Sequence, residues 1–182
     1  MAIKKPVFLS LAVGVMLLAG CHPAFKKYDY AITPTSAHEK AENYTITVAP
    51  LIANDKFTGF ILNIENTSDA PVEIDWNKTL FIQGGQTNGG FIYEGIVYAE
   101  RNNPRLPDVV LPHSAMNKEI SPSNLVIYSA PYRYNGILIP GGWRKGTIGS
   151  GNHGVYVTIR CNQKEAWHKL VFDVSASDKL GG

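Results

Sequence analysis

The chain has few of the residues that build metal or redox sites. Only two of its 182 residues are cysteines, Cys21 and Cys161. The histidines stand singly, and they are His22, His38, His113, His153 and His168. Metal sites need clustered ligands at a workable spacing, and phosphate-binding loops need a glycine-rich turn that opens a helix. Neither pattern occurs, so the sequence predicts no metal site and no cofactor.

Beyond residue 21 the chain has no formal net charge and no long apolar run. The first 21 residues hold two of the 17 basic side chains and none of the 15 acidic ones, so the remainder is formally neutral. Nucleic-acid binding proteins carry a basic face, which a neutral chain does not favour. No later stretch is long and apolar enough to cross a bilayer. The sequence therefore predicts no nucleic-acid partner and no membrane-spanning segment in the mature protein.

The N-terminal residues have the pattern of an export signal. Lys4 and Lys5 precede an apolar run from Pro6 to Leu18, which is short for a membrane span. The run ends in Leu18-Ala19-Gly20-Cys21, which resembles the lipobox of bacterial lipoproteins. The resemblance implies that residues 1–20 are a cleaved signal peptide and that the Cys21 thiol carries lipid. Two or more acyl chains, at about 0.8 kcal/mol per buried methylene, make a stable membrane anchor.

The same resemblance predicts a location in the bacterial cell envelope. By similarity to lipoprotein sorting in enteric bacteria, the absence of Asp after Cys21 favours the outer membrane, facing the periplasm; His22 occupies that position. With Cys21 lipidated, an intramolecular disulfide is excluded. Cys161 is then either a reactive or partner-bridging thiol or a small buried side chain. Its position in the alternation of Val155, Val157 and Ile159 favours burial.

Three segments follow the signal peptide. Residues 21–43 are polar and irregular and predict a lipidated N-terminus with a flexible tether. Residues 44–175 predict the folded domain, and 176–182 a C-terminal tail. The 11 prolines and 17 glycines interrupt the chain at intervals that match the length of short strands. No stretch shows the spacing of apolar residues that is typical of an amphipathic helix. The predicted fold is all-β, an immunoglobulin-like antiparallel β-sandwich, with a partly open β-barrel as the alternative.

Alternating apolar residues mark the predicted strands, at 44–48, 60–65, 72–76, 79–82, 91–93, 125–128, 154–161 and 167–174. The turn chemistry of 66–71 suggests that 60–65 and 72–76 form an antiparallel hairpin. The polar residues 162–165 suggest a second hairpin between the last two strands. Trp76 is similar to the buried tryptophan of immunoglobulin domains, although the paired cysteines of antibody domains are absent. The long segment 129–154 is predicted to be irregular.

A second resemblance covers about half of the mature chain. The sequence order Glu73-Ile74-Asp75-Trp76-Asn77, Gly95-Ile96-Val97-Tyr98, Val110-Leu111-Pro112 and Ile120-Ser121-Pro122 is similar to a loose group of small bacterial lipoproteins. That likeness implies a β-rich exported domain and carries no catalytic residue.

Catalytic arrangements are weak in this sequence. Ser150 and His153 lie close together, but Ser150 lacks the frame of a nucleophile elbow and is predicted to lie in a hairpin connection. The carboxylates Glu73, Asp75 and Glu94 are available for glycan cleavage, yet the polar face of a strand explains the first two. His153 and His168 approach each other only if the last two strands bring them together. The sequence predicts a non-enzymatic protein.

The one constellation that favours binding is aromatic. Five residues within a Gly- and Pro-rich segment are candidate partner-binding residues: Tyr128, Tyr132, Arg133, Tyr134 and Trp143. Tyr, Trp and Arg carry much of the contact energy at recognition surfaces. The alternative is that these rings close one end of the sandwich and anchor a long loop.

These observations predict a lipid-anchored, non-enzymatic binding or assembly module whose partner is another envelope protein. Two other functions stay open. One is an exclusion or inhibitor lipoprotein of the kind carried by phages and plasmids, and the other is a periplasmic enzyme acting on glycan.

Overall fold

The computed structural model describes residues 28–96 and 100–178. The predicted signal peptide and the lipidation site Cys21 lie outside these residues. The described chain is almost entirely β-strand and folds into two antiparallel sheets and a separate hairpin arm. The first sheet has seven strands: β1 (Tyr28–Thr33), β5 (Val72–Ile74), β6 (Leu80–Gln83), β7 (Gln86–Thr87), β9 (Asp108–Val110), β15 (Gly151–Cys161) and β16 (Lys164–Asp178).

The second sheet has five strands, in the spatial order β2-β3-β4-β10-β8. Their bounds are β2 (Ala37–Lys40), β3 (Tyr44–Ala53), β4 (Lys56–Asn66), β8 (Phe91–Tyr93) and β10 (Ala115–Pro122). In the first sheet, the path runs β1-β16-β15-β5-β9, and β6 also pairs with β15 and carries β7. Within the described residues neither sheet closes on itself, so the fold is a β-sandwich and not the alternative barrel.

The core follows from the period-2 alternation of the strands. Tyr44, Ile46 and Val48 of β3 are buried, as are Val155, Val157 and Ile159 of β15. Successive side chains point to opposite faces of a strand, so each set forms one inward row. Phenylalanines from both sheets meet between the rows in one aromatic cluster, formed by Phe57, Phe60, Phe81, Phe91 and Phe172. At roughly 1.5–3 kcal/mol for each fully buried large apolar side chain, this cluster supplies much of the driving force for folding.

The last hairpin forms as predicted. Strand β15 pairs with β16 from Gly151↔Val174 to Cys161↔Lys164. Asn162 and Gln163 make the turn with φ values of 51° and 63°, the left-handed conformation that a two-residue type I′ turn requires. Cys161 is buried with a free thiol, as the alternation predicted.

The predicted boundaries of the domain need correction. Strands β1 and β2 lie inside the segment 21–43 that was predicted to be a flexible tether. Strand β1 pairs with β16 from Tyr28↔Asp178 to Thr33↔Asp173, and β2 pairs with β3. These short strands carry little periodicity of their own and depend on partners distant in sequence. For the same reason β16 continues to Asp178, into the predicted tail 176–182.

The predicted hairpin between 60–65 and 72–76 is also wrong. Strand β4 pairs with β3 and β10, whereas β5 pairs with β15 and β9 in the other sheet. The connecting residues carry the chain from one sheet to the other. The buried Asn66 side chain fixes this crossover, since its Nδ2 donates to the carbonyls of Ala70 (2.8 Å), Val110 (3.0 Å) and Leu111 (3.1 Å).

The two ends of the sandwich have different components. At one end, called the Tyr28 end, β1 begins beside the last residues of β16, and the Tyr30 ring packs edge-on against Phe57 with centroids 6.3 Å apart. The start of β15 at Gly151 lies there too. The opposite end, called the Cys161 end, contains the β15–β16 turn and the Asn66 crossover.

Candidate functional site

The segment 127–144 forms a β-hairpin arm that is inserted between β10 and β15. Its inner ladder joins β11 (Ile127–Ser129) to β14 (Gly142–Arg144), and its outer ladder joins β12 (Tyr132–Tyr134) to β13 (Ile137–Ile139). The sequence reading of 129–154 as irregular is therefore corrected. The two ladders are too short to show a period-2 pattern, and prolines separate them.

Local sequence explains the shape of the arm. Asn135 and Gly136 have φ values of 49° and 81°, so the tip closes in the Asn-Gly turn that favours two-residue hairpins. Pro131 and Pro140 lie opposite each other between the ladders. Proline has no backbone N–H and donates no ladder hydrogen bond, so pairing stops there and resumes beyond.

The arm exposes an unusual amount of apolar surface. Eleven large hydrophobic side chains are exposed in the described chain, and six of them lie in the arm: Ile127, Tyr128, Tyr132, Tyr134, Ile137 and Leu138. Residues 132–139 are called the tip. The cross-strand pairs Tyr132↔Ile139 and Tyr134↔Ile137 share one face of the tip, and the pair Arg133↔Leu138 forms the other. The arm strands pair with neither sheet, and five of the six residues of the outer ladder are exposed.

The base of the arm is fixed at the Tyr28 end. The Ile148 N–H donates to the Phe57 carbonyl at 2.7 Å, and the Ile148 side chain is buried in the core. Lys145 Nζ forms an ion pair with Glu119 of β10 at 3.0 Å. A Cβ on Gly146 would lie 2.0 Å from the Leu125 carbonyl oxygen, so only glycine permits this close backbone approach.

A groove of about 860 Å³ lies where the arm meets β8 and β10, and it is called the root groove. Its lining is Ile92, Tyr93, Glu94, Gly95, Ile96, Asn117, Lys118, Glu119, Ser121, Val126, Trp143 and Lys145. Apolar and aromatic surface is thus combined with a few polar groups, as in many binding sites, and the volume falls within their usual range. The Ser121 hydroxyl is buried and has no hydrogen-bond partner among the described residues.

A compact charged and aromatic cluster packs beside the root groove. Lys118 Nζ lies 4.1 Å from the centroid of the Tyr93 ring and 5.4 Å from that of Trp76, and it pairs with Asp108. Trp76 Nε1 donates to Asp108 Oδ2 at 3.0 Å. Burial, and then the Asp108 charge, raise the pKa of Tyr93, whereas burial lowers the pKa of Arg105. Asp108 thus accepts from Trp76 and pairs with Lys118, and Lys118 and Tyr93 of this cluster line one side of the groove.

The five candidate partner-binding residues fall into two sets. Tyr128 and Trp143 are directly opposite each other in the inner ladder, and Trp143 lines the root groove. Tyr132, Arg133 and Tyr134 lie in the tip, where Arg133 Nη1 donates to the Gly136 carbonyl at 3.3 Å. The sixth predicted site residue, Cys21, lies outside the described part of the chain.

The polar residues that line the root groove were not predicted from the sequence. Asn117 and Glu119 occupy alternate positions on β10 and line the groove with Lys145. The alternation alone marks them as one face of a strand. These residues line a groove only because the arm packs beside that face of β10.

Ser150 and His153 each bond to the backbone, whereas Glu94, one of the carboxylates considered for glycan cleavage, lines the root groove together with Glu119. The Ser150 hydroxyl accepts a hydrogen bond from the Ala176 N–H at 3.0 Å, and His153 Nε2 lies 3.0 Å from the Gly149 carbonyl oxygen. Both side chains therefore have backbone partners, and His153 stacks on Phe81. His168 does not meet His153, because it lies opposite Val157 and bonds Tyr44 instead.

No cluster of three or more His, Cys, Asp or Glu side chains able to hold a metal ion is found in 28–96 and 100–178. In the same ranges no helix has the length and apolarity needed to cross a membrane.

Comparison with protein-family models, with curated proteins and with solved structures gave no match for this chain. Any function must therefore be inferred from the chain's own residues.

Proposed function

We propose that this chain is a lipid-anchored protein of the bacterial cell envelope, in the outer membrane facing the periplasm, and that it acts as a non-enzymatic binding module. Lipid on Cys21 is the membrane attachment in this proposal. The sequence Leu18-Ala19-Gly20-Cys21 after a short apolar run supports it. The described chain begins at the Tyr28 end of the sandwich, only seven residues after Cys21.

The observation that carries the binding role is the arm with its root groove. Trp143 and Val126 offer apolar surface in the groove, and Asn117, Glu119 and Lys145 offer hydrogen bonds beside it. Interfaces concentrate their energy in a few aromatic and Arg residues that become desolvated on binding. A groove that is held by the Lys145–Glu119 ion pair and the close contact at Gly146 is already formed before a partner arrives. Binding a partner then costs little additional conformational entropy.

Tethering supplies the mechanism. A lipid anchor confines the domain to one membrane surface and raises its effective concentration for a partner on that surface. A modest affinity at the root groove then suffices for a long-lived complex. The partner class that fits is an envelope protein, since the exposed Tyr128 lies opposite the groove-lining Trp143 in the inner ladder and extends the apolar surface beyond the groove.

The anchor is tested by changing Cys21→Ser and fractionating cells. We expect the wild type in washed membranes and the variant released from them, because the acyl chains are lost while the sandwich is untouched. Circular dichroism of both proteins checks that the fold is kept. Retention of the variant in washed membranes would refute the lipid anchor.

The partner is tested by crosslinking the wild type in living cells, followed by affinity capture and mass spectrometry. Trp143→Ala should lose a defined envelope protein that the wild type captures. The matched control is Trp167→Ala, since Trp167 is an exposed tryptophan on β16, outside the arm. A partner retained by Trp143→Ala, or lost equally with Trp167→Ala, would remove the root groove from the binding surface.

A further inference from the structure

The tip of the arm is apolar on both of its faces. One face carries Tyr132, Tyr134, Ile137 and Ile139, and Leu138 lies on the other beside Arg133. Tyr134, Ile137 and Leu138 are each about 60% exposed or more. A docked protein ordinarily covers one face of a hairpin. A surface with exposed apolar side chains on both faces, and a cation on one of them, fits an environment that surrounds it, as the boundary between lipid headgroups and acyl chains does.

The residue types of the arm also suit a lipid boundary. Tyr and Trp, which join an apolar ring to a polar group, are the residues enriched at membrane interfaces. The chain has no Asp or Glu from Ile120 to Lys164, and the arm and its base carry the cations Arg133, Arg144 and Lys145. The chain is neutral beyond residue 21, but this segment is locally basic. Anionic headgroups attract such a segment, and long Arg side chains keep their charge at the interface while the stem is buried.

The position of the arm agrees with that of the lipid anchor. Tyr28 is the seventh residue after Cys21, so it lies at most about 25 Å from the lipidated residue. Strand β15 has 11 residues and spans about 36 Å, so the Cys161 end is the more distant end of the sandwich. The arm is rooted at the Tyr28 end. From Ile127 to Asn135 it is up to about 26 Å long, which is comparable to the largest distance between Cys21 and Tyr28.

From these observations we infer that the tip, residues 132–139, docks onto the lipid headgroup and acyl boundary of the membrane that holds the Cys21 lipid. This inference rests on the lipid anchor of the proposed function. Ile137 and Leu138 enter the boundary, the tyrosine hydroxyls stay at headgroup level, and Arg133 meets anionic headgroups. Two attachments, one through lipid and one through the arm, fix the rotation of the domain and present the root groove beside the membrane.

The test uses the full-length lipidated protein, reconstituted into vesicles of phosphatidylethanolamine and phosphatidylglycerol. Leu138→Cys is labelled with an environment-sensitive fluorophore. The label is specific, because Cys161 is buried and the Cys21 thiol carries lipid in the proposed protein. Thr67→Cys is the matched control, as Thr67 is exposed at the Cys161 end. We expect blue-shifted emission at position 138 with several-fold stronger quenching by brominated lipids than at position 67.

The outcomes separate the two proposals. Vesicle flotation reports whether the protein is attached to the membrane at all, so failure to float overturns the anchor. Flotation with equal, weak quenching at positions 138 and 67 overturns the docking of the tip while the anchor stands. A blue shift that grows with the ratio of protein to lipid, without lipid quenching, assigns the tip to a second copy of the chain and also overturns the inference.

Discussion

At the scale of single residues, Asn66 shows how one polar side chain decides the path of the chain. Its amide donates to three carbonyls, and its Oδ1 accepts from the N–H and the hydroxyl of Ser68, both at 2.9 Å. Only an amide supplies donors and an acceptor from one short side chain. The Asn66 side chain is buried, so its own amide has no water as an alternative partner. The residue thereby joins the end of β4 to the loops before β5 and after β9.

We predict that Asn66→Ala lowers the free energy of unfolding by about 1–3 kcal/mol, because it removes the donor to the buried Val110 carbonyl and the bonds that hold Ser68, Ala70 and Leu111 around it. Urea denaturation followed by fluorescence measures the change. Thr67→Ala is the control, since Thr67 is exposed and its backbone N–H bond to the Asn43 carbonyl is unaffected by truncation. A loss below about 0.5 kcal/mol for Asn66→Ala, comparable to ordinary surface changes, would contradict this role.

At the scale of elements, the arm differs from the sandwich strands in what supports it. Strands β15 and β16 pair over 11 residues and bury alternate side chains in the core. The outer ladder of the arm pairs over three residues and buries none. An isolated two-stranded hairpin is marginally stable in water. Stability within this molecule is therefore unevenly distributed.

Hydrogen exchange of the vesicle-free protein should expose this difference. We expect the amides of 132–134 and 137–139 to exchange on the order of a thousandfold faster than those in the middle of β15, because the tip opens locally whereas β15 opens with the whole domain. Mass spectrometry of peptic fragments measures both segments in one sample, so β15 is the internal control. Equal protection of the two segments would mean that some other surface already covers the tip.

The elements also differ in how well the sequence predicted them. The hairpin of β15 and β16 was predicted because both strands are long, alternate strictly and flank a polar turn. Strands β1 and β2 were missed because their pairing partners are distant in sequence. The prediction that β4 and β5 form a hairpin was wrong, because turn residues such as Pro71 do not indicate whether the next strand lies in the same sheet. The aromatic residues of the arm were predicted as candidates, but the root groove depends on tertiary contact between Lys145 and Glu119 and has no local signal.

At the scale of the whole molecule, the two sheets are joined by polar contacts as well as by the core. The Tyr44 hydroxyl of β3 lies 2.8 Å from His168 Nε2 of β16, and the two rings meet edge to face with centroids 5.6 Å apart. This contact closes the sandwich towards the Cys161 end. Burial lowers the pKa of His168 from its ordinary value of 6.5, and the nearby Glu39 carboxylate opposes that shift only in part. Burial also raises the pKa of Tyr44, so the contact pairs two neutral groups near pH 7.

The free energy of unfolding of the whole domain should therefore decrease as the pH falls, because His168 in this contact becomes protonated. The unfolded chain protonates His168 near pH 6.5, and the folded chain does so only at lower pH. Between these values the unfolded state binds more protons, so His168 gives its full contribution above about pH 6.5 and loses it as the pH falls. One such group changes the free energy of unfolding by at most about 1.4 kcal/mol per pH unit. Urea denaturation from pH 8 to pH 5 measures the effect.

His168→Gln is the matched variant for that measurement, because glutamine keeps a hydrogen-bond acceptor for Tyr44 and does not titrate in this range. The other described histidines contribute equally to both proteins, so the difference between the two curves isolates His168. We expect the wild type to lose stability relative to the variant below about pH 6.5 and the difference to be constant above it. Parallel curves over the whole range would show that His168 protonates equally in the folded and unfolded chains. The contact with Tyr44 would then join the sheets by packing and not by a neutral hydrogen bond that acid breaks.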